Sequence, residues 1–122
     1  MYYIYVVRCA DDSLYTGIAA DVCRRMREHT GKTAVAAKYT RSRSVTALEG
    51  LWRAQDRSSA SKLEYAIKHL PRQKKLELLE NPAQLLPFFP QLAQENYVYL
   101  AGVTLEQCVE GEWKDEAVCS AP

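Results

Sequence analysis

The chain has 122 residues and a mass of 13.9 kDa, and its hydrophobic (48%) and charged (25%) fractions are those of an ordinary globular domain. This composition excludes collagen, a coiled coil and low-complexity disorder for most of the chain, and no apolar run approaches the roughly 18 residues of a membrane helix. The net charge of +1 conceals an asymmetry, because residues 1–80 hold 15 Lys and Arg against 9 Asp and Glu, whereas residues 81–122 hold one Lys against 6 acids.

The first strands are predicted at the N-terminus. Tyr, Ile and Val dominate residues 2–8, and Tyr3, Tyr5 and Val7 share one face at period 2. A turn cluster at 11–13 and an apolar run at 14–18 complete an antiparallel hairpin. Gly17 in the second strand indicates a bulge or a close approach of the backbone to another group.

A helix and a third strand follow. Asp21 is the expected N-cap of a helix over about 22–30, and Gly31 ends it. Residues 31–44 are polar and basic and predict a loop. Residues 45–52 suit a third strand.

Two further helices are expected over 58–69 and from about Pro71 to Leu79, since proline is tolerated in the first turn of a helix. Residues 97–103 form one more candidate strand. The acidic end, residues 106–122, is predicted to be poorly ordered. The uneven charge favours a polyanionic partner for the basic segment, although a solvated basic face neutralised by an acidic tail explains it equally well.

The N-terminal residues have no basic leader and no cleavage site, which predicts a cytoplasmic protein without a signal peptide. The four cysteines form no CxxC pair and have no histidine at zinc-ligand spacing. We expect mostly packed, reduced thiols; the alternative, two disulfides, belongs to secreted proteins. The cysteines are Cys9, Cys23, Cys108 and Cys119.

Five side chains stand out by type and by placement on these elements: Tyr5, Tyr15, Arg25, His29 and Glu64. Such a set suits phosphodiester hydrolysis. A guanidinium fork binds two phosphate oxygens, a carboxylate holds one hard divalent cation, and a phenol or imidazole takes a proton from water.

Each of these residues also has a structural explanation. The tyrosines suit cross-strand pairs, Arg25 can pair with Asp21 or Glu28, and a histidine is favoured at a helix C-terminus. Glu64 can belong to a capping box that begins at Ser61, or can pair with Lys68 one turn later.

The chain resembles the GIY-YIG nuclease family, and in particular its small stand-alone bacterial group. The resemblance covers about residues 2–80. It is carried by Tyr3-Ile4-Tyr5, by Leu14-Tyr15-Thr16-Gly17 ten residues later, by the helix with Arg25 and His29, by Lys38-Tyr39-Thr40-Arg41, and by the helix with Glu64. Tyr3 replaces the glycine of the family name and Thr16 replaces its isoleucine.

The resemblance implies an α/β (α+β) domain at residues 1–80, with a three-stranded antiparallel sheet flanked by helices. An acidic, proline-interrupted extension occupies residues 81–122. The resemblance further implies that five residues are catalytic: Tyr5, Tyr15, Arg25, His29 and Glu64. It implies that Glu64 binds one Mg²⁺ or Mn²⁺, and that the substrate is DNA, often branched, damaged or recombining.

The expected function is therefore that of a metal-dependent, structure-selective DNA endonuclease of repair or recombination. Tyr5 or His29 would activate water, Tyr15 would orient water or phosphate, and four loop residues would contact the nucleic acid: Lys38, Tyr39, Arg41 and Arg43. One alternative is a nucleic-acid-binding module on the same fold with little catalysis. The other is an interaction protein whose acidic extension docks a partner or covers the basic face.

Overall fold

A computed structural model describes residues 1–31, 44–83 and 85–115 of the chain. Within these ranges the strands are β1 (Tyr2–Cys9), β2 (Leu14–Ala19), β3 (Val45–Ala54) and β4 (Tyr97–Tyr99). They form one sheet in the order β2-β1-β3-β4, with antiparallel pairing between all neighbours. The hairpin predicted for the N-terminus is confirmed.

Helices flank this sheet. The longer ones are α1 (Val22–His29), α2 (Arg57–Lys68) and α3 (Arg72–Glu80). The shorter ones are α4 (Leu85–Phe88), a 3₁₀ turn (Pro90–Leu92) and α5 (Leu105–Val109). The predicted α/β class is confirmed, but the predicted count of three strands is wrong, because β4 adds a fourth strand alongside the end of β3.

Local sequence signals set the ends of the helices. The Asp21 side chain accepts a hydrogen bond from the Arg24 N–H at 3.1 Å, and Gly31 follows the helix with a φ of +80°. Pro71 stands directly before α3. Helix α2 begins one residue before its predicted start, because the Asp56 carboxylate accepts the Ser59 N–H at 2.8 Å.

The apolar core lies on both faces of the sheet, because helices pack against each face. Tyr3, Tyr5 and Val7 belong to one cluster together with residues of α1 and α5. Ile4 and Val6 point to the opposite face and pack with residues of α2 and α3. The alternation predicted for this strand therefore separates two layers of helices.

Residues 106–115 are ordered, so the prediction of a poorly ordered acidic end is wrong for them, and residues 116–122 lie outside the described residues. Thr104 and Gln107 form a capping box at the start of α5, and Leu105 and Cys108 are buried. Asp115 is 8% exposed; it accepts a hydrogen bond from the Tyr3 hydroxyl at 2.7 Å and pairs with Arg53 at 2.9 Å. The apolar residues among these acidic ones pack against one face of the sheet, and the free energy gained by burying them stabilises the segment despite its acidic side chains.

Residues 95–97, which lead into β4, are bound to the first half of α2. The Glu95 carboxylate accepts hydrogen bonds from the Ser59 hydroxyl at 2.8 Å and from the Lys62 ammonium at 2.7 Å. The Tyr97 hydroxyl donates to the Ser59 carbonyl at 2.6 Å. Strand β4 ends at Tyr99, earlier than the predicted 103, because a turn with Gly102 at a φ of +76° follows.

Cys9, Cys23 and Cys108 are free thiols, as predicted, and Cys119 lies outside the described residues. No helix in the described ranges combines the length and the apolar composition needed to cross a membrane.

Candidate active site

The hairpin register brings the two candidate tyrosines onto one face of the sheet. Tyr5 is opposite Gly17 and Tyr15 is opposite Val7, so the two phenols lie diagonally across the strands with ring centroids 6.3 Å apart. Tyr5 has no exposed surface, whereas Tyr15 is 45% exposed.

Gly17 makes room for the Tyr5 ring. A Cβ at this position would lie 2.4 Å from the Tyr5 hydroxyl oxygen, far inside van der Waals contact. The close approach expected at Gly17 is therefore present, and its partner is a candidate catalytic side chain.

Helix α1 places His29 between the two tyrosines. The His29 Nε2 atom lies 2.9 Å from the Tyr5 hydroxyl, and the imidazole centroid lies 5.5 Å from the Tyr5 ring and 5.6 Å from the Tyr15 ring. Burial and the nearby Arg25 charge lower the pKa of His29, which favours a neutral imidazole at pH 7. The Nδ1–H tautomer of a neutral ring accepts the Tyr5 hydroxyl proton at Nε2.

Burial raises the pKa of Tyr5 to about 12. A hydrogen bond and the positive charge of Arg25 act in the opposite direction, while Tyr15 and Glu64 raise the pKa further. Tyr5 is therefore a neutral phenol at pH 7, and its hydroxyl is hydrogen-bonded to His29.

Arg25 reaches this hydroxyl from the first turn of α1. Its side chain is 41% exposed, its Nη1 donates to the Ile18 carbonyl at 3.4 Å, and its Nε lies 3.4 Å from Glu28 Oε2. The expected pairing with Glu28 is present, whereas Asp21 serves as the helix cap. The Glu28 pair leaves the exposed guanidinium open to an anion from solvent.

Glu64 lies on α2, which packs against β1 and β2. Its carboxylate is 23% exposed and acts electrostatically on the pKa of Tyr5. The capping-box explanation is wrong, because α2 starts at Arg57 and places Ser61 inside the helix. The predicted ion pair with Lys68 is present, with the Lys68 Nζ atom 3.5 Å from Glu64 Oε2.

Sequence reasoning missed the second contact of Lys68. Its ammonium also lies 5.9 Å from the centroid of the Tyr15 ring. Spacing along α2 predicts the Glu64 pair, but Tyr15 is 53 positions away on the hairpin, and no linear signal links the two.

The structure brings Tyr5, Tyr15 and His29 into contact, with Arg25 beside them on α1; Glu64 lies on α2 and is connected to them through Lys68, whose ammonium lies near both Glu64 and the Tyr15 ring. The four predicted nucleic-acid contacts, Lys38, Tyr39, Arg41 and Arg43, lie outside the described residues.

The donor set fits one weakly held divalent cation. The described ranges contain no group of three or more His, Cys, Asp and Glu side chains that could hold a metal. Mg²⁺ does not need such a group, because it commonly keeps several waters and binds one or two carboxylates together with substrate phosphates. The Glu64 carboxylate, which is 23% exposed and paired with Lys68, suits that mode.

Comparison with known proteins reaches the same part of the chain. The family model described as "GIY-YIG catalytic domain" matches residues 1–77. The UPF0213 protein DP2720 of Desulfotalea psychrophila is 46% identical over 79 residues, which cover 65% of this chain and 71% of the relative. The UPF0213 protein YhbQ of Salmonella typhimurium is 43% identical over 79 residues, covering 64% and 76%. The solution NMR structure of the UPF0213 protein BH0048 from Bacillus halodurans is 36% identical, covers 76% of this chain and 98% of that chain, and superposes with a TM-score of 0.45.

Proposed function

This chain belongs to the GIY-YIG nuclease superfamily, and from that premise we propose that it is a divalent-metal-dependent DNA endonuclease. The observation that supports the proposal is the contact of three candidate side chains from separate elements. His29 is hydrogen-bonded to the Tyr5 hydroxyl at 2.9 Å, and the Tyr15 ring lies beside both of them.

Arg25 and Glu64 provide the electrostatics of the proposed reaction. The planar guanidinium of Arg25 matches two oxygens of the scissile phosphate and keeps its charge at every relevant pH. Glu64 would hold the cation, which supplies Lewis-acid polarisation of the phosphate and charge neutralisation at the leaving oxygen.

Tyr5 and His29 form the proposed proton relay. The Tyr5 oxygen accepts a proton from water while it passes its own proton to Nε2 of the neutral His29. No free phenolate accumulates in this relay, so a pKa of about 12 for Tyr5 does not prevent it.

Substrate must reach a phenol that has no exposed surface in the free protein. We assign this access to Tyr15 and Arg25, whose side chains are more than 40% exposed and lie beside Tyr5. Tyr15 then orients the attacking water or the phosphate.

The basic loop extends the proposed contact with DNA. Lys38, Arg41 and Arg43 would bind the phosphate backbone, and Tyr39 would stack on an exposed base. Because backbone contacts carry no base sequence, the selectivity would follow the shape of branched, damaged or single-stranded DNA, as in repair or recombination in the bacterial cytoplasm.

Substitution of Glu64 tests the proposal. We expect Glu64→Gln to reduce cleavage of labelled branched and single-stranded DNA by about 100-fold or more in Mg²⁺ or Mn²⁺, because the variant loses the charge that holds the cation. DNA affinity, measured by fluorescence anisotropy, should stay close to that of the parent protein.

Glu77→Gln is the matched control, since this glutamate lies on α3 and pairs with Lys74. Its cleavage rate should be unchanged. Full cleavage by Glu64→Gln contradicts the assignment of Glu64, and tight DNA binding with no cleavage by the parent protein favours the binding module instead.

A further inference from the structure

The Lys68 ammonium lies beside the carboxylate that we propose as the metal ligand. Its Nζ atom is 3.5 Å from Glu64 Oε2 and 5.9 Å from the centroid of the Tyr15 ring. The lysine side chain is 45% exposed, against 23% for the glutamate. The ammonium therefore contacts both a proposed metal ligand and the exposed tyrosine of the site.

This ion pair is easy to exchange. An i,i+4 pair on a helix surface contributes little to stability, because solvent screens the exposed ammonium and the lysine loses rotamer freedom in the paired state. A second positive charge arriving at the carboxylate repels the ammonium, and that repulsion falls with distance and with salt.

We propose that Lys68 is a positioning residue for Glu64. In the metal-free protein its ammonium pairs with the Glu64 carboxylate and opposes cation binding there. When substrate binds, the lysine side chain moves its ammonium from Glu64 to the substrate phosphate beside Tyr15. This inference rests on the proposed function. An anionic phosphate relieves the repulsion between the two positive charges, so the cation binds weakly to the free protein and more tightly when DNA is present.

The consequence is measurable without catalysis. Lys68→Met keeps most of the side-chain volume and removes the charge. We expect it to tighten binding of Mn²⁺ to the free protein about three- to tenfold, the size of a screened Coulomb term over several ångströms. The readout is a titration of free Mn²⁺ by electron paramagnetic resonance.

Two variants control for the loss of a lysine. Lys68→Arg retains the charge and should bind Mn²⁺ like the parent protein. Lys74→Met removes a lysine of α3 whose ammonium pairs with Glu77, and it should also leave the Mn²⁺ affinity unchanged.

A kinetic arm separates a positioning role from a purely structural one. Lys68→Met should lower the kcat for DNA cleavage several-fold at saturating Mn²⁺. In a titration with Mn²⁺, the same variant should reach half of its maximal rate at a lower Mn²⁺ concentration than the parent protein. Lys68→Arg should restore both values.

The outcomes separate the two proposals. An Mn²⁺ affinity of Lys68→Met equal to or weaker than that of the parent protein overturns the role of Lys68, and leaves the Glu64 site standing if Glu64→Gln abolishes binding. An unchanged Mn²⁺ affinity of Glu64→Gln overturns the Glu64 site itself.

Discussion

At the scale of single residues, the packing of Tyr5 against Gly17 shows how a strand position can be restricted by a side chain on its neighbour. The phenol ring lies across β2 at the place where any other residue would carry a Cβ. The sequence indicated a close approach at Gly17 but could not identify its partner, because that depends on the register of the hairpin.

Substitution of Gly17 should therefore be costly. We expect Gly17→Ala to lower the free energy of unfolding by about 1–3 kcal/mol, the usual range for an overpacked site, because the rigid Tyr5 ring has to move. Urea denaturation followed by circular dichroism measures this change.

Gly50→Ala serves as the comparison, since Gly50 is also buried in a strand. Its added Cβ would first meet Leu79 Cδ2 at 2.9 Å, the far end of a flexible side chain, although Trp52 lies 3.0 Å away. We expect the smaller loss of stability for Gly50→Ala, and the reverse order would contradict the packing described for Tyr5.

His29 links the site to the pH dependence of stability. Its pKa is lowered in the folded protein, so the unfolded chain binds a proton first as the pH falls below about 6.5. The corresponding stability is present above the unfolded pKa and is lost as the pH decreases through the folded pKa.

We expect the free energy of unfolding to decrease between pH 7.5 and pH 5.5, and to decrease less in His29→Gln, whose amide oxygen still accepts the Tyr5 hydroxyl. Urea titrations of both proteins at the two pH values provide the comparison. Identical losses in the two proteins would show that His29 does not titrate in this range.

At the scale of elements, signals that act within a few residues predict where helices begin, whereas contacts between distant segments leave no local signal. Asp21 and Pro71 identify helix starts because the backbone groups they serve lie within a few residues. Residues 97–103 were predicted as a strand from their own sequence, but the pairing of β4 with β3 and the order of residues 106–115 depend on distant contacts, and Asp115 is 112 positions from Tyr3. Charge pattern alone therefore suggested disorder where burial produces structure.

The C-terminal segment should be needed for folding. Phe89, Leu92, Leu105 and Cys108 are buried in the two core clusters. We expect a fragment of residues 1–80 to lose cooperative unfolding, because apolar surface on both faces of the sheet becomes exposed. Thermal unfolding and dye binding to exposed apolar surface test this expectation.

The full chain, measured under the same conditions, is the reference. A cooperative, stable 1–80 fragment would contradict the prediction.

At the scale of the whole molecule, the fold class and the identity of the candidate residues could be predicted, but the arrangement of the site could not. The motif positions name Tyr5, Tyr15, Arg25, His29 and Glu64, since motif spacing is preserved along the chain. Burial of Tyr5, its bond to His29 and the contact of Lys68 with Tyr15 arise from packing between elements, which no linear pattern records.

The attachment of Glu95 and Tyr97 to the first half of α2 has a practical consequence for protein engineering. The same helix carries Glu64 and Lys68 in its second half, so we expect a shift of the helix at Ser59 to move both side chains. Glu95 and Tyr97 lie beyond residues 1–77, where the family model matches. Exchanging this stretch between relatives would therefore offer a way to tune the chemistry remotely while every motif side chain is retained.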